Sequence, residues 1–162
     1  MISLRSQLNV SRQVFFCSMG GFDLHSSQSW NHWNLLTQVS AAISAFYSAT
    51  VELGISDSVT QFTLSDFGRT LQPGGTGSDH GWGSHYMIAG GAVKGGDLYG
   101  TFPQLVLGGS DDANTRGVLI PTTSISQYGG TLAKWFGATD PEVDILFPNL
   151  SHFTTRDLGF ML

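Results

Sequence analysis

Two glycine-rich stretches of the sequence, residues 20–25 and 65–85, concentrate acids and imidazoles. Each follows a short apolar run of the kind that forms a buried strand, and loops after strand ends commonly carry catalytic and metal-binding side chains. Carboxylate oxygens and imidazole nitrogens are ligands for zinc and manganese. The candidate metal ligands are Asp23, His25, Asp66 and His80, with Asp79 and His85 as weaker candidates.

The first stretch offers a pair of ligands at the right spacing. Asp23 and His25 are two residues apart, so in an extended segment both side chains lie on one face and can reach one metal ion. The alternative is that Asp23 caps the turn after Gly21 and His25 is an ordinary surface residue. His80 is the best single ligand candidate in the second stretch, because Gly81 beside it allows a close approach of backbone.

The other charged residues of the second stretch have two interpretations each. Asp66 follows a strand end, where a carboxylate points into the crevice at the sheet edge, but it also fits the N-cap of a short turn. Arg69 is a candidate catalytic residue that binds a phosphate or sulfate oxygen and stabilises negative charge. It could instead pair with Asp66 or Asp79 for structural reasons. His85 would begin a strand, either as a ligand or as a packed side chain.

Composition excludes several classes of function. The chain has 162 residues, enough for one domain spanning residues 1–162, and a net charge of −5 with seven scattered basic residues. This balance argues against nucleic-acid binding. Cys17 is the single cysteine, which excludes an intrachain disulfide and a CxxC metal knuckle. No apolar run approaches the ~18 residues of a transmembrane helix. The first ten residues lack the apolar region of a signal peptide.

Strand and helix patterns alternate along the chain. Apolar and β-branched runs predict strands at residues 13–19, 59–64 and 85–89. Three- and four-residue apolar spacing predicts helices at residues 30–53 and 124–136. Strand, long helix and strand in this order predict an α/β fold, in which a right-handed β-α-β crossover joins neighbours of a parallel sheet.

Several longer motifs resemble the family called domain of unknown function 1501, from about Arg12 to Phe153. They are RQVFFCSMGGFDLH, FTLSDFGRT, GSDHGWG, GGAVKGG, YGTFP and IPTTSISQYGGTLAKWFG. The resemblance places the chain in the alkaline-phosphatase-like and sulfatase-like superfamily. It implies a three-layer α/β/α domain with a mainly parallel sheet, of which this chain would be the C-terminal portion and therefore incomplete.

The resemblance also implies a metal chemistry. The superfamily binds two divalent metal ions at the C-terminal edge of its sheet, so zinc is expected here, or manganese, magnesium or calcium. Asp23, His25 and His80 resemble the ligands of one site, although the superfamily's Asp and His are usually spaced more widely. Asp66 resembles the Asp of an Asp-His pair in the other site, but here Phe67 follows it and leaves that site short of a ligand.

The function implied for complete relatives is metal-dependent hydrolysis of phosphate or sulfate esters, with an anionic small molecule or polysaccharide ester as substrate. No residue here matches the superfamily's nucleophile segment, so this chain alone is expected to be inactive. Many family members are exported through the twin-arginine route, which implies a periplasmic or extracellular location for full-length relatives. The alternatives are a non-catalytic binding or cell-envelope protein, and a truncated chain without independent activity.

Overall fold

Two small antiparallel sheets and four helices make up the protein. A computed structural model describes residues 1–162. The helices are α1 (Arg5–Leu8), α2 (Gln28–Glu52), α3 (Ile125–Phe136) and α4 (Asp140–Leu146), and the strands are β1 (Thr60–Phe62), β2 (Gly68–Gly74), β3 (Gly77–Gly81) and β4 (Ile88–Gly90). Strand β1 pairs with β4, and β2 pairs with β3, both antiparallel. The predicted three-layer α/β/α fold with a mainly parallel sheet is therefore wrong.

The predicted strand at residues 13–19 accounts for much of this correction. Residues 12–24 run without a bend, turn or strand partner. A parallel crossover would place β1 beside this segment, but β1 pairs with β4. An apolar run becomes a strand only when a neighbour takes up its backbone N–H and C=O groups. The segment therefore has the composition of a strand, but no other strand of the chain pairs with it.

The predicted helix at residues 30–53 is confirmed as α2, which begins two residues earlier. Its N-cap is Ser27, and no side chain caps it. Gly54 follows the helix with a φ of +63°, as expected for a glycine that ends a helix. Thr50 is the one buried residue of α2, so most of this long helix faces solvent.

The second predicted helix is confirmed as α3, with the start and stop signals in place. Ser124 forms a capping box with Gln127, and Gly137 at the C-cap has a φ of +102°. The short helix α4 was not predicted. Its signal is present in the sequence, since Thr139 and Glu142 form a second capping box. No helix of the protein combines the length and the hydropathy needed to cross a membrane.

A hairpin replaces the predicted glycine-rich connection between residues 65 and 85. Strands β2 and β3 pair Gly68 with Gly81 and Gly74 with Gly77, and Gly75 turns the chain with a φ of +67°. The predicted strands at residues 59–64 and 85–89 do form, as the shorter β1 and β4. They pair with each other because the hairpin folds back between them.

The buried core is small and lies on α3. Tyr128 and Leu132 pack with Phe160 from the C-terminal end of the chain, beside Ile88 of β4. Backbone hydrogen bonds tie the last residues to residues 92–94, where Leu162 donates to the Ala92 carbonyl at 2.8 Å. Only 18 of 162 residues are buried, so much apolar surface is left on the outside.

Candidate functional site

The hairpin positions His80 directly opposite Arg69. The two residues are cross-strand partners in β3 and β2. Gly81 permits this close pairing, since a Cβ at that position would lie 2.8 Å from the backbone of Arg69. Asp79 and His80 are thus carried on strand β3 rather than on a loop, although the register of the hairpin shifts between Arg69 and Pro73, opposite Asp79.

The segment containing Asp23 and His25 lies across the end of the same hairpin. A Cβ at Gly77 would overlap the backbone of His25 and lie 2.7 Å from the Leu24 carbonyl oxygen, so only glycine allows this crossing. Just beyond the crossing, the Ser27 N–H donates to Thr76 Oγ1 at 2.8 Å and the Gln28 N–H donates to the Thr76 carbonyl at 2.9 Å. The hairpin turn and the start of α2 therefore fix where the Asp-x-His pair lies.

Asp23, His25 and His80 come together in one cluster. His25 Nε2 lies 2.9 Å and His80 Nε2 2.7 Å from the same oxygen, Asp23 Oδ1. The two imidazole rings lie 5.1 Å apart at 30°. The three side chains are exposed, and their ligand atoms all lie within 4.8 Å of one another. Two histidines separated by 55 residues of sequence thus share one carboxylate.

The electrostatics of the cluster favour an ionised carboxylate. The hydrogen bond from His80 is the main cause that lowers the pKa of Asp23 below its usual value of 3.8. Partial burial opposes this change, while the charges of His25, His80 and Arg69 add to it. Asp23 is therefore a charged ligand at neutral pH, as metal coordination requires.

The donor set fits zinc, and manganese after it. Two imidazole nitrogens and one carboxylate oxygen make up a common three-ligand zinc set, with a fourth position left for water or substrate. Ligands of a tetrahedral zinc, each about 2.0–2.1 Å from the metal, lie about 3.4 Å from one another. The contacts of 2.7 and 2.9 Å would open by about 0.5–0.7 Å, which exposed side chains can accommodate by small rotations. Calcium and magnesium, which prefer all-oxygen sites, fit less well.

Phe67 is a site residue that sequence reasoning missed. Its ring stacks on His80 with centroids 3.9 Å apart and planes within 6°. From the sequence, Phe67 is notable only because it stands where the superfamily has a metal-binding histidine. The contact follows from the hairpin register, because Phe67 directly precedes β2 and so lies diagonal to His80. Such a stack fixes the plane of the imidazole and hence the direction of its lone pair.

Arg69 serves mainly to hold the site together. Its guanidinium donates to the carbonyls of Ser78 and Phe22, lies 3.9 Å from Asp23 Oδ1 and packs over the Phe67 ring at 5.1 Å. The predicted structural partners, Asp66 and Asp79, are not the ones it contacts. Its role in stabilising a bound anion stays a prediction.

The remaining predicted residues lie around the cluster or away from it. Asp79 Oδ1 is 3.6 Å from His25 Nδ1, and its other oxygen pairs with Arg116 at 2.9 Å. Asp66 is exposed and lies outside the ligand cluster. His85 is exposed and packs against Phe102 at 5.2 Å. The structure thus brings Asp23, His25 and His80 together, places Asp79 beside them, and leaves the other two apart.

Comparison with known proteins gives one match. A family model described as "Protein of unknown function (DUF1501)" matches residues 2–120, a range that contains the whole cluster. No curated protein and no solved structure matches the chain.

Proposed function

The chain belongs to the DUF1501 family of proteins of unknown function, and we propose that it binds a divalent metal ion, zinc by preference, through Asp23, His25 and His80. The observation that carries the proposal is that three ligand atoms, contributed by two distant parts of the sequence, lie within 4.8 Å of one another.

Two features of the site support metal binding over a purely structural cluster. Phe67 and the hairpin fix His80 before any metal arrives, and a preformed ligand costs less entropy on binding. The side chains are exposed, so a hydrated ion has free access and can keep water as a further ligand.

The test is a zinc titration of the full chain with matched histidine variants. We expect one zinc per chain by calorimetry or chelator competition. His80→Ala and His25→Ala should each weaken binding by at least an order of magnitude. His152→Ala removes an exposed histidine outside the cluster and should leave binding unchanged. Equal weakening by all three variants, or equal affinity in all three, would contradict the proposed site.

We further propose that the metal site belongs to a hydrolase of phosphate or sulfate esters, as the superfamily resemblance implies. A divalent ion bound at this site would polarise an oxygen of the ester. Arg69 lies 3.9 Å from Asp23 Oδ1, so its guanidinium adds positive charge beside the proposed metal site. The test uses a longer protein that contains this chain together with the nucleophile segment that this chain lacks. Turnover of p-nitrophenyl phosphate or p-nitrophenyl sulfate by that protein with zinc, abolished by His80→Ala, would support this proposal. Zinc binding by that protein without turnover would favour a non-catalytic metal-binding protein.

An exported location is a further proposal that rests on the same motif resemblance. The sequence encoded upstream of this chain tests it. A twin-arginine signal there would support export, and a cytosolic fusion partner would argue against it.

A further inference from the structure

The imidazole of His25 lies between two carboxylates. Its Nε2 is 2.9 Å from Asp23 Oδ1, inside the proposed metal site, and its Nδ1 is 3.6 Å from Asp79 Oδ1. A movement of about 0.4–0.9 Å brings the second pair to the ordinary hydrogen-bond length of ~2.7–3.2 Å, which two half-exposed side chains can make by rotation. The Asp79 carboxylate thus faces the ring nitrogen that a metal on Nε2 leaves free.

The two histidines of the site differ in what can orient them. A histidine that binds a metal through one ring nitrogen carries a proton on the other, and donation of that N–H to a carboxylate or carbonyl fixes the tautomer and the plane of the ring. The plane of His80 is fixed by its stack on Phe67. The ring nearest to His25 is that of His80, which is tilted by 30° at 5.1 Å and is itself a ligand. Asp79 is therefore the group placed to orient His25.

The second oxygen of Asp79 is held by Arg116. Arg116 Nη2 lies 2.9 Å from Asp79 Oδ2, so the two oxygens of this carboxylate face different partners. The guanidinium is itself tied to β2, because its Nε donates to Gln72 Oε1 at 3.3 Å and the Gln72 N–H donates to the Arg116 carbonyl at 3.0 Å. The register of the hairpin shifts at residues 70–72, opposite Asp79, and such irregularities re-aim the side chains of a strand.

The backbone around Arg116 keeps its place without the arginine side chain. A Cβ at Gly117 would lie 2.4 Å from the Leu71 side chain, so only glycine allows this approach to β2. The Leu71 N–H donates to the Gly117 carbonyl at 3.2 Å, and the Gly117 N–H donates to Asp112 Oδ2 at 2.8 Å. Removal of the Arg116 side chain should therefore change the support of Asp79 and leave the loop folded.

We propose that Asp79 is a positioning residue of the metal site. It accepts the Nδ1–H of His25, so that Nε2 is the nitrogen presented to the metal, and Arg116 holds Asp79 in that position. The inference rests on the proposed function, because it assigns a role beside the metal that His25 binds. It makes Asp79 a supporting acceptor rather than a fourth ligand, since one of its oxygens faces Nδ1 and the other is held by Arg116.

Zinc titration of Arg116→Ala separates positioning from simple charge. Removal of a positive charge beside a cation site should tighten zinc binding by Coulomb's law, whereas loss of the support of Asp79 should weaken it. We expect Asp79→Ala to weaken zinc binding about 10–100-fold. Arg116→Ala should weaken it about two- to fivefold, the range set by an exposed ion pair. Because Arg116 acts through Asp79, the double variant should bind zinc no more weakly than Asp79→Ala alone.

The matched control is Arg156→Ala. Arg156 is 45% exposed, like Arg116, and also pairs with one aspartate, Asp144, outside the metal site. This variant should bind zinc like the unmodified chain. Long-range proton–nitrogen NMR of the zinc complex gives a readout that a loss of stability does not move. It should show His25 protonated at Nδ1, with a proton that exchanges faster with solvent in Asp79→Ala than in the unmodified chain.

Three results would overturn this inference: tighter or unchanged zinc binding in Arg116→Ala, unchanged binding in Asp79→Ala, or zinc bound at Nδ1 of His25. Zinc binding that His80→Ala weakens and Asp79→Ala leaves unchanged would overturn this inference alone and leave the proposed function standing. A lack of zinc binding by the unmodified chain would overturn the proposed function and this inference with it. Circular dichroism of each variant checks that the chain is folded.

Discussion

Substitution of Gly77 by alanine tests whether the crossing of two chain segments builds the candidate site. The new Cβ would overlap the His25 backbone and lie 2.7 Å from the Leu24 carbonyl oxygen, where ordinary contact begins at 3.4 Å. Both neighbours are backbone, so no rotation of a side chain relieves the overlap. The segment carrying Asp23 and His25 must move by about 0.7 Å or more. Loss of ligand positioning on this scale typically costs about 10–100-fold in metal affinity.

The assay is zinc competition against a chromophoric chelator, with Gly74→Ala as the control. Gly74 pairs with Gly77 at the end of the same hairpin, and a Cβ there meets no atom within 4 Å. We expect Gly74→Ala to bind zinc like the unmodified chain and Gly77→Ala to bind it more than tenfold less tightly. Equal affinities in the two variants, with both hairpins folded by circular dichroism, would refute the reasoning.

Three other perturbations test separate parts of the structure. Phe67→Leu should reduce zinc affinity between about two- and tenfold, because it removes a stack worth ~0.5–1.5 kcal/mol that orients His80; Phe102→Leu, a ring beside His85, should not. The pKa of the Asp23 carboxyl is lower in the folded chain than in the unfolded chain, so the ionised carboxylate stabilises the fold. This stabilisation is present above the usual pKa of 3.8 and is lost as the pH falls through the lower pKa of the folded state. Chemical denaturation of Asp23→Asn should therefore show a flatter loss of stability below about pH 4 than the unmodified chain, and an identical slope would contradict the contact with His80. Burial disfavours the ionised form of Asp112, but four backbone N–H donors at residues 108, 114, 117 and 118 hold its pKa below the usual value. Thermal melting of Asp112→Ala should show a midpoint several degrees lower, with a smaller change for Asp111→Ala, which frees one backbone N–H, that of Gln104, and the exposed Ser110 hydroxyl.

Local signals predicted the helices well and the sheet poorly. The apolar spacing of α2 and the Ser124 and Gly137 boundaries of α3 are visible in the sequence, because they depend on neighbouring residues only. The run at residues 13–19 has the composition of a buried strand. Whether it becomes one depends on a distant partner, which composition does not reveal.

The candidate site divides in the same way. The Asp23–His25 spacing and the glycine beside His80 marked these residues as candidate ligands, and the family resemblance grouped them in one site. The structure places their ligand atoms within 4.8 Å of one another. The stack of Phe67 on His80 and the carbonyl contacts of Arg69 depend on the β2–β3 register. That register was hidden because a stretch with many glycines and Pro73 resembles a loop more than a hairpin.

Zinc-edge X-ray absorption of the one-to-one complex tests the metal site most directly. The geometry predicts a first shell with two imidazole nitrogens and at least one carboxylate or water oxygen, at about 2.0–2.1 Å. His80→Ala should remove one imidazole from that shell. A shell without imidazole nitrogens, or one unchanged in His80→Ala, would contradict binding by Asp23, His25 and His80.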